Sequence, residues 1–303
     1  MNDHPLSGVY AAVVTPLQAD FSPALEHIPA LLSFMASRGC HGALLLGTTG
    51  EGPSFSPDER LAIFQAALTF RSTHPDFHLL AGTGTPSLEE TIQLTQAAFE
   101  LGMDGVVVLP PYYYRKASDE GLFAWFDLLI QRAVPPGKYL LGYHIPHVSG
   151  VGLSLDLLEK LANRHPGRFA GIKDSSGDPE HARLLGERFG KDLLVLTGND
   201  RLFSHALANH ASGCITAAAN IISPILRRVW DAHTDAAPAA QAQTELDACR
   251  QVVDAYPPAP ALLKALLHYM YKLPASPVRL PLQDLPPSTV DKALAELAEI
   301  SIM

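Results

Sequence analysis

The 303-residue chain is predicted to be an α/β protein, a (β/α)8 TIM barrel with a C-terminal helical extension. Eight short apolar runs recur along its first two thirds. They are continuous rather than alternating in hydrophobicity, as parallel strands covered on both faces must be. Helix-forming segments with explicit start and stop signals separate them. Eight such units exceed the five or six strands at which a doubly wound sheet more often stops.

The expected strands are residues 9–14, 43–47, 78–82, 105–109, 139–143, 169–173, 193–197 and 213–216. Between them, Ser56-Pro57-Asp58-Glu59 combines an N-cap serine, a proline at the first helical position and a glutamate placed to complete a capping box. Ser87-Leu88-Glu89-Glu90 repeats the device, and Gly102 supplies the stop. Ser154 opens a further helix. After the eighth run the composition shifts. Residues 231–248, rich in alanine, glutamine and aspartate, read as a solvent-facing helix and its loop. Residues 261–271 read as a helix between two proline-rich connections, 256–260 and 274–287, and a last helix starts near Ser288. The expected division is residues 1–223 as the barrel and residues 224–303 as a helical region packed on it.

Composition narrows the function classes. A formal charge of −9 with no basic cluster argues against nucleic-acid binding, and Tyr112, Tyr113 and Tyr114 beside Arg115 and Lys116 therefore do not read as a stacking platform. No apolar segment is long enough to span a bilayer, and the N-terminal residues lack the basic and apolar regions of a signal peptide, so the cytoplasm is the expected compartment. Cys40, Cys214 and Cys249 are odd in number and far apart, which favours reduced, structural thiols.

In a barrel the reactive groups sit at the carboxyl ends of the strands. The sixth run ends in Lys173, a lysine closing a buried stretch, where desolvation would favour a free amine able to attack a carbonyl; the alternative is a solvated lysine at a strand end. The second run ends in Gly47-Thr48-Thr49-Gly50-Glu51-Gly52, whose glycine-flanked threonines suit a small anion such as a carboxylate and lack the lysine of a phosphate loop. The fifth ends in Tyr143-His144-Ile145-Pro146, the seventh in Gly198-Asn199-Asp200, and the fourth in Pro110-Pro111-Tyr112-Tyr113-Tyr114. Tyr143 can exchange protons beside Lys173. His144 and His147 raise a metal-dependent aldolase, but their spacing off a strand does not converge and the sequence suggests no cysteine or carboxylate partner, so no metal is expected. His41, His205 and His210 are scattered and read as surface or core histidines.

Gly47-Thr48-Thr49-Gly50-Glu51, Pro111-Tyr112-Tyr113, Tyr143-x-x-Pro146 and Gly171-Ile172-Lys173-Asp174-Ser175-Ser176-Gly177, in this order, resemble the dihydrodipicolinate synthase and N-acetylneuraminate lyase family of class I aldolases. The likeness runs from about Val9 to Pro277-Val278-Arg279-Leu280. It implies a tetramer built from tight dimers and no metal, nucleotide or organic cofactor. Lys173 would match the lysine that forms a Schiff base with pyruvate or a related 2-oxo acid, and Tyr143 the tyrosine that shuttles protons. Thr48 would relay protons between Tyr143 and a Tyr113 reaching in from the neighbouring subunit. Thr49, with backbone N–H groups of the turn that Gly47 opens, would hold the carboxylate, and Ile215 would place a carbonyl near the lysine.

Departures from the pattern bear on substrate. Val148 stands where the lysine-pathway synthases usually carry an arginine for the aldehyde's carboxylate, which a valine cannot replace. Val148-Ser149-Gly150 is instead similar to the sialic-acid lyases, and Gly198 and Asp200 match lyase positions that contact the sugar chain. Arg201 stands where those lyases have a glutamate; it either meets an acidic aldehyde or is an exposed arginine on a first helical turn. The expectation is a Schiff-base carbon–carbon lyase or synthase joining a 2-oxo acid to an aldehyde other than that of dihydrodipicolinate synthase. The alternatives are that synthase itself and a non-catalytic barrel that binds a 2-oxo acid as a regulator.

Overall fold

Eight parallel strands close into a barrel, β1 pairing with β8, in the computed structural model, which describes residues 4–300. The strands are β1 Gly8–Ala12, β2 Gly42–Leu45, β3 His78–Gly82, β4 Gly105–Val108, β5 Tyr139–His144, β6 Phe169–Asp174, β7 Leu194–Thr197 and β8 Gly213–Thr216. Three of them, β1, β2 and β4, stop short of their apolar runs. β2 ends at Leu45 because Leu46 turns into the left-handed region, with φ of 56°, and β1 ends before Val13 and Val14. β5 and β6 each run one residue further than expected, so Tyr143 pairs with Lys173 and His144 with Asp174 across the two strands.

Continuous hydrophobicity has a direct structural cause. Alternate residues face two separate apolar clusters, one inside the barrel and one beneath the helices. Tyr10, Leu44, Leu80, Val107, Leu141, Leu194, Leu196 and Ile215 fill the interior, whereas Val9, Ala43, Leu79, Val106, Leu140, Val195 and Cys214 face outward. The same alternation turns Tyr143 inward, and His144 one residue on takes the outer face.

The connecting helices are α1 Ile28–Ser37, α2 Pro57–Thr69, α3 Leu88–Leu101, α4 Asp119–Ala133, the single turn α5 Pro146–Ser149, α6 Leu155–Arg164, α7 Pro179–Phe189, α8 Phe203–Ala208 and α9 Ala219–Asp231. Ser56 and Glu59 form the complete capping box of α2. At Ser87 the serine's half is present, the Glu90 N–H donating to its hydroxyl at 3.3 Å, and Gly102 ends α3 with φ of 110°. Ser154 caps α6. Helix α9 packs against β1 and β8 and bends at Ile222, two residues before Pro224, so residues 223 and 224 both lie within the last barrel helix.

Three helices follow: α10 Ala236–Ala255, α11 Ala259–Tyr271 and α12 Pro287–Glu299. The solvent-facing helix and loop expected over 231–248 is corrected by α10, which starts later, runs to Ala255 and buries Ala239, Ala242, Leu246, Cys249 and Val253 against the rest of the core. The first half of this face is alanine, which allows close approach to α9, and its larger apolar residues, Leu246, Val252 and Val253, lie in the second half of the helix, mostly beyond residue 248. Cys40, Cys214 and Cys249 are buried and unpaired, as expected, and burial pushes the Cys40 thiol up to about 11.

Candidate active site

The carboxyl ends of β5 and β6 bring Lys173 and Tyr143 together. Both are buried, and the Lys173 Nζ lies 4.1 Å from the centroid of the Tyr143 ring. The Tyr143 hydroxyl is 3.2 Å from Thr48 Oγ1. Burial by itself would push the phenol up, but the Lys173 ammonium, the Thr48 hydroxyl and the Ser175 hydroxyl together outweigh it, and Tyr143 titrates below its ordinary value. The arrangement is a lysine beside an acidified phenol whose hydroxyl lies within reach of a threonine hydroxyl. Ser175 was missed as a functional residue, although it stands two residues beyond the lysine within the same motif.

Thr48 and Thr49 sit on a turn closed by two backbone bonds, Glu51 N–H to Thr48 O and Gly52 N–H to Gly47 O, both at 3.1 Å. Thr48 is exposed at the mouth and Thr49 is buried. A cavity of about 30 Å³, large enough for one water, lies between Gly47, Thr48, Gly82, Gly84, Arg60 and Tyr143. Ile215 is buried on β8 within the interior cluster. Tyr113 lies elsewhere: it is 76% exposed and meets only Tyr114 edge-on, with ring centroids 5.2 Å apart, among the described ring contacts.

The remaining candidates separate into structural and exposed groups. Gly198 donates its N–H to Asp174 O at 2.6 Å, and a Cβ there would stand 1.9 Å from Ser175 Oγ, so only glycine lets β7 close against the β6 turn. Asp200 is wholly buried with its carboxylate on Arg250 of α10, and Arg201 pairs with Asp254 at 3.4 Å. Both carboxylate and guanidinium thus engage α10. Val148, on the single turn α5, is 52% exposed.

Behind the threonine turn lies a buried ion pair that sequence reading did not assemble. Glu51 holds φ of 57°, and its wholly buried carboxylate meets Lys264 Nζ of α11 at 2.6 Å and accepts the Arg279 N–H at 2.6 Å. Lys264 also donates to Pro277 O at 2.7 Å. Burial pulls the Lys264 ammonium below its ordinary value, Glu51 opposing this only in part. Arg279 continues the network to Glu59, to Ser54 O and onto the Phe55 ring. Glu51, Arg279 and Pro277 were visible as motif residues; their convergence was not, because it joins opposite ends of the chain.

On the outer side of the same strands, His144 meets Asp174 and His181, with one ligand atom of each within 4.8 Å of the others. A carboxylate partner for His144 therefore exists, contrary to the expectation, whereas His147 is not part of the group. The donor set fits a metal poorly. His144 Nδ1 accepts the Leu153 N–H at 2.9 Å, which puts the ring proton of the neutral imidazole on Nε2 and leaves no lone pair to ligate. Burial, the largest influence on this ring, lowers its pKa and favours that neutral form.

Comparison with known proteins identifies the family. The sequence profile of the dihydrodipicolinate synthetase family matches residues 5–299. An uncharacterized DapA-like lyase of Chloroflexus aurantiacus is 39% identical over 297 residues, covering 98% of this chain and 97% of the relative. A 4-hydroxy-tetrahydrodipicolinate synthase of Methanosphaerula palustris is 32% identical over 231 residues, covering 75% of this chain and 76% of the relative. Among solved structures, YagE, a prophage protein of the dihydrodipicolinic acid synthase family from E. coli K12 in complex with pyruvate, superposes with a TM-score of 0.91 at 25% identity, covering 98% of this chain and 99% of that one. Dihydrodipicolinate synthase from Aquifex aeolicus gives 0.90 at 26% identity, covering the same shares. A barrel of eight parallel strands with a lysine, a tyrosine and a threonine at its mouth, matched along nearly its whole length, makes this chain a member of the dihydrodipicolinate synthetase family and a lyase.

Proposed function

We propose that the chain is a class I lyase that binds pyruvate or a related 2-oxo acid as a Schiff base on Lys173 and joins it to, or releases it from, an aldehyde. The observation that carries this is the 4.1 Å approach of Lys173 Nζ to a Tyr143 ring whose hydroxyl is itself within 3.2 Å of Thr48. Nζ forms a C–N bond to C2 of the 2-oxo acid, and the C2 oxygen leaves as water after protonation by Tyr143. The phenolate so formed takes a proton from C3, converting the iminium to an enamine, whose C3 then bonds to the aldehyde carbon while Tyr143 returns that proton to the aldehyde oxygen. Hydrolysis of the iminium returns the amine. The same steps reversed cleave the carbon–carbon bond.

Thr49 and the N–H groups of the Gly47–Gly52 turn take the 2-oxo acid carboxylate in this reading. No metal, nucleotide or organic cofactor enters the scheme. Tyr113, exposed in one chain, completes the relay of a neighbouring chain in a dimer-of-dimers assembly. The aldehyde differs from that of 4-hydroxy-tetrahydrodipicolinate synthase because Val148 offers no guanidinium and Arg201 is engaged by Asp254.

Incubation with pyruvate and borohydride, followed by peptide mapping, tests the reading: the reduced adduct is expected on Lys173. No adduct there with pyruvate or any of a panel of 2-oxo acids would sink it. Adduct formation without turnover on any aldehyde would favour a 2-oxo-acid-binding regulator. Unchanged turnover after exhaustive chelation is the result expected of a metal-free mechanism.

A further inference from the structure

We infer that Lys264, on α11 outside the barrel, is a positioning residue for proton transfer at the Tyr143–Thr48 pair, acting through its buried ion pair with Glu51. The inference rests on the Schiff-base reading above and extends it to the C-terminal region.

Four observations build the case. The turn that carries Thr48 closes with the N–H of Glu51 donating to the Thr48 carbonyl, so the backbone of Glu51 bears directly on the relay residue. Glu51 occupies the left-handed region, which a residue with a Cβ adopts only when its surroundings hold it there. Those surroundings are two contacts from the C-terminal region, the Lys264 ammonium and the Arg279 N–H, each at 2.6 Å from one carboxylate oxygen. Lys264 is in turn fixed by the Pro277 carbonyl at 2.7 Å, and both side chains of the ion pair are almost fully enclosed.

A buried ion pair contributes little net stability, because desolvation offsets the attraction, yet it holds its partners in one geometry. Here the geometry held is that of the Thr48 turn. The Thr48 to Tyr143 separation of 3.2 Å is already at the long end for a hydroxyl pair, so a slackened turn loses the contact readily. Schiff-base formation needs the Lys173 amine and one proton from the Tyr143 phenol, and β6 and β5 place both without this network. Removal of the C3 proton needs the relay. Loss of Lys264 is therefore expected to separate the two steps.

The experiment follows pyruvate alone, so the unknown aldehyde does not enter. In deuterated buffer, reversible loss of a C3 proton from the iminium and return of a deuteron from solvent replaces the methyl hydrogens of pyruvate, which proton NMR reads as loss of the methyl signal. Borohydride trapping reads the adduct on Lys173. Because Lys264→Met leaves Glu51 buried and unpaired and can cost folding, the decisive variant is the neutral pair Glu51→Gln with Lys264→Met, checked by thermal unfolding. The expected result is a folded chain that still traps pyruvate on Lys173, with methyl deuteration slowed at least about tenfold and its pH limb moved towards higher pH. Deuteration within about twofold of the unmodified chain, with an unmoved limb, would overturn the inference. So would trapping and deuteration falling together with thermal stability, which is the mark of a purely structural role. Absence of any adduct in the unmodified chain overturns the Schiff-base reading and this inference with it, whereas an adduct with unaffected exchange in the variant overturns the inference alone.

Discussion

Thr48→Val removes the hydroxyl that faces Tyr143 and leaves the side chain's shape almost unchanged. Tyr143 titrates below an ordinary phenol although it is buried, because the Lys173 cation and then the Thr48 hydroxyl favour the phenolate over the phenol. A hydrogen bond to a charged group contributes about 1.5–3 kcal/mol, and the 3.2 Å separation places this one at the low end, near 1.5 kcal/mol. Since about 1.4 kcal/mol is a tenfold change in an equilibrium constant, losing the bond should disfavour the phenolate by up to about tenfold and so raise the Tyr143 pKa. The sign follows from which form the hydroxyl stabilises: its loss disfavours the phenolate, so the limb governed by phenolate moves to higher pH. Below that limb the rate of pyruvate methyl deuteration should fall about tenfold, and above it the two proteins should converge. The assay is the pH dependence of deuteration, with borohydride trapping at each pH to show that the adduct still forms. A limb that stays in place, or a uniform loss at every pH, would refute the assignment of Thr48 as a partner of the phenolate.

Three further outcomes follow from the same geometry. Asp200→Ala strips a wholly buried carboxylate from Arg250 and should cost about 3 kcal/mol, lowering the unfolding midpoint by roughly 6 °C, while borohydride trapping on Lys173 at room temperature is unchanged; normal stability with impaired trapping would instead put Asp200 at the substrate. Glu59 is held at about 2, chiefly by its hydrogen bonds from Arg279, so its stabilising contribution is full above the ordinary carboxylate value of 4.5 and is lost as pH falls through about 2; the difference in midpoint between Glu59→Gln and the unmodified chain should accordingly vanish in strong acid, and a difference constant with pH would contradict the pairing. Val148→Arg should raise kcat/KM with pyruvate and aspartate semialdehyde about tenfold or more, the worth of a charged hydrogen-bonded carboxylate clamp, and no gain would show that the exposed position of Val148 does not reach the aldehyde.

Much of the barrel and half of the site could be read before any coordinates. Each strand announces itself as an apolar run because both of its faces are buried, Leu44 inward and Ala43 outward being neighbours in the chain. Lys173 stood out because a charged group ended such a run, and Tyr143, Thr48 and Thr49 because they ended others. What escaped notice shares one cause. Ser175, Glu51 with Lys264, and His144 with Asp174 and His181 gain their meaning from neighbours supplied by other strands and helices, and no local spacing encodes those contacts. Asp200 and Arg201 were legible as strand-end residues, but which way they turned depended on Arg250 and Asp254 of α10, about 50 residues on in the chain, whose approach no local spacing encodes.

The division has a physical basis. Periodicity, capping residues and the chemistry of single side chains are local properties, so the sequence alone determined the eight-unit architecture and the lysine and tyrosine that end its strands. Closure of the barrel, which sets β1 against β8 and brings every strand end to one mouth, acts across the whole chain. Only that closure, with α11 and the Pro277–Arg279 segment laid across the β2 turn, decided that Tyr143 is an acidified phenol, that Asp200 is structural in its contacts, and that a lysine far from the barrel strands meets the carboxylate of the turn that carries Thr48.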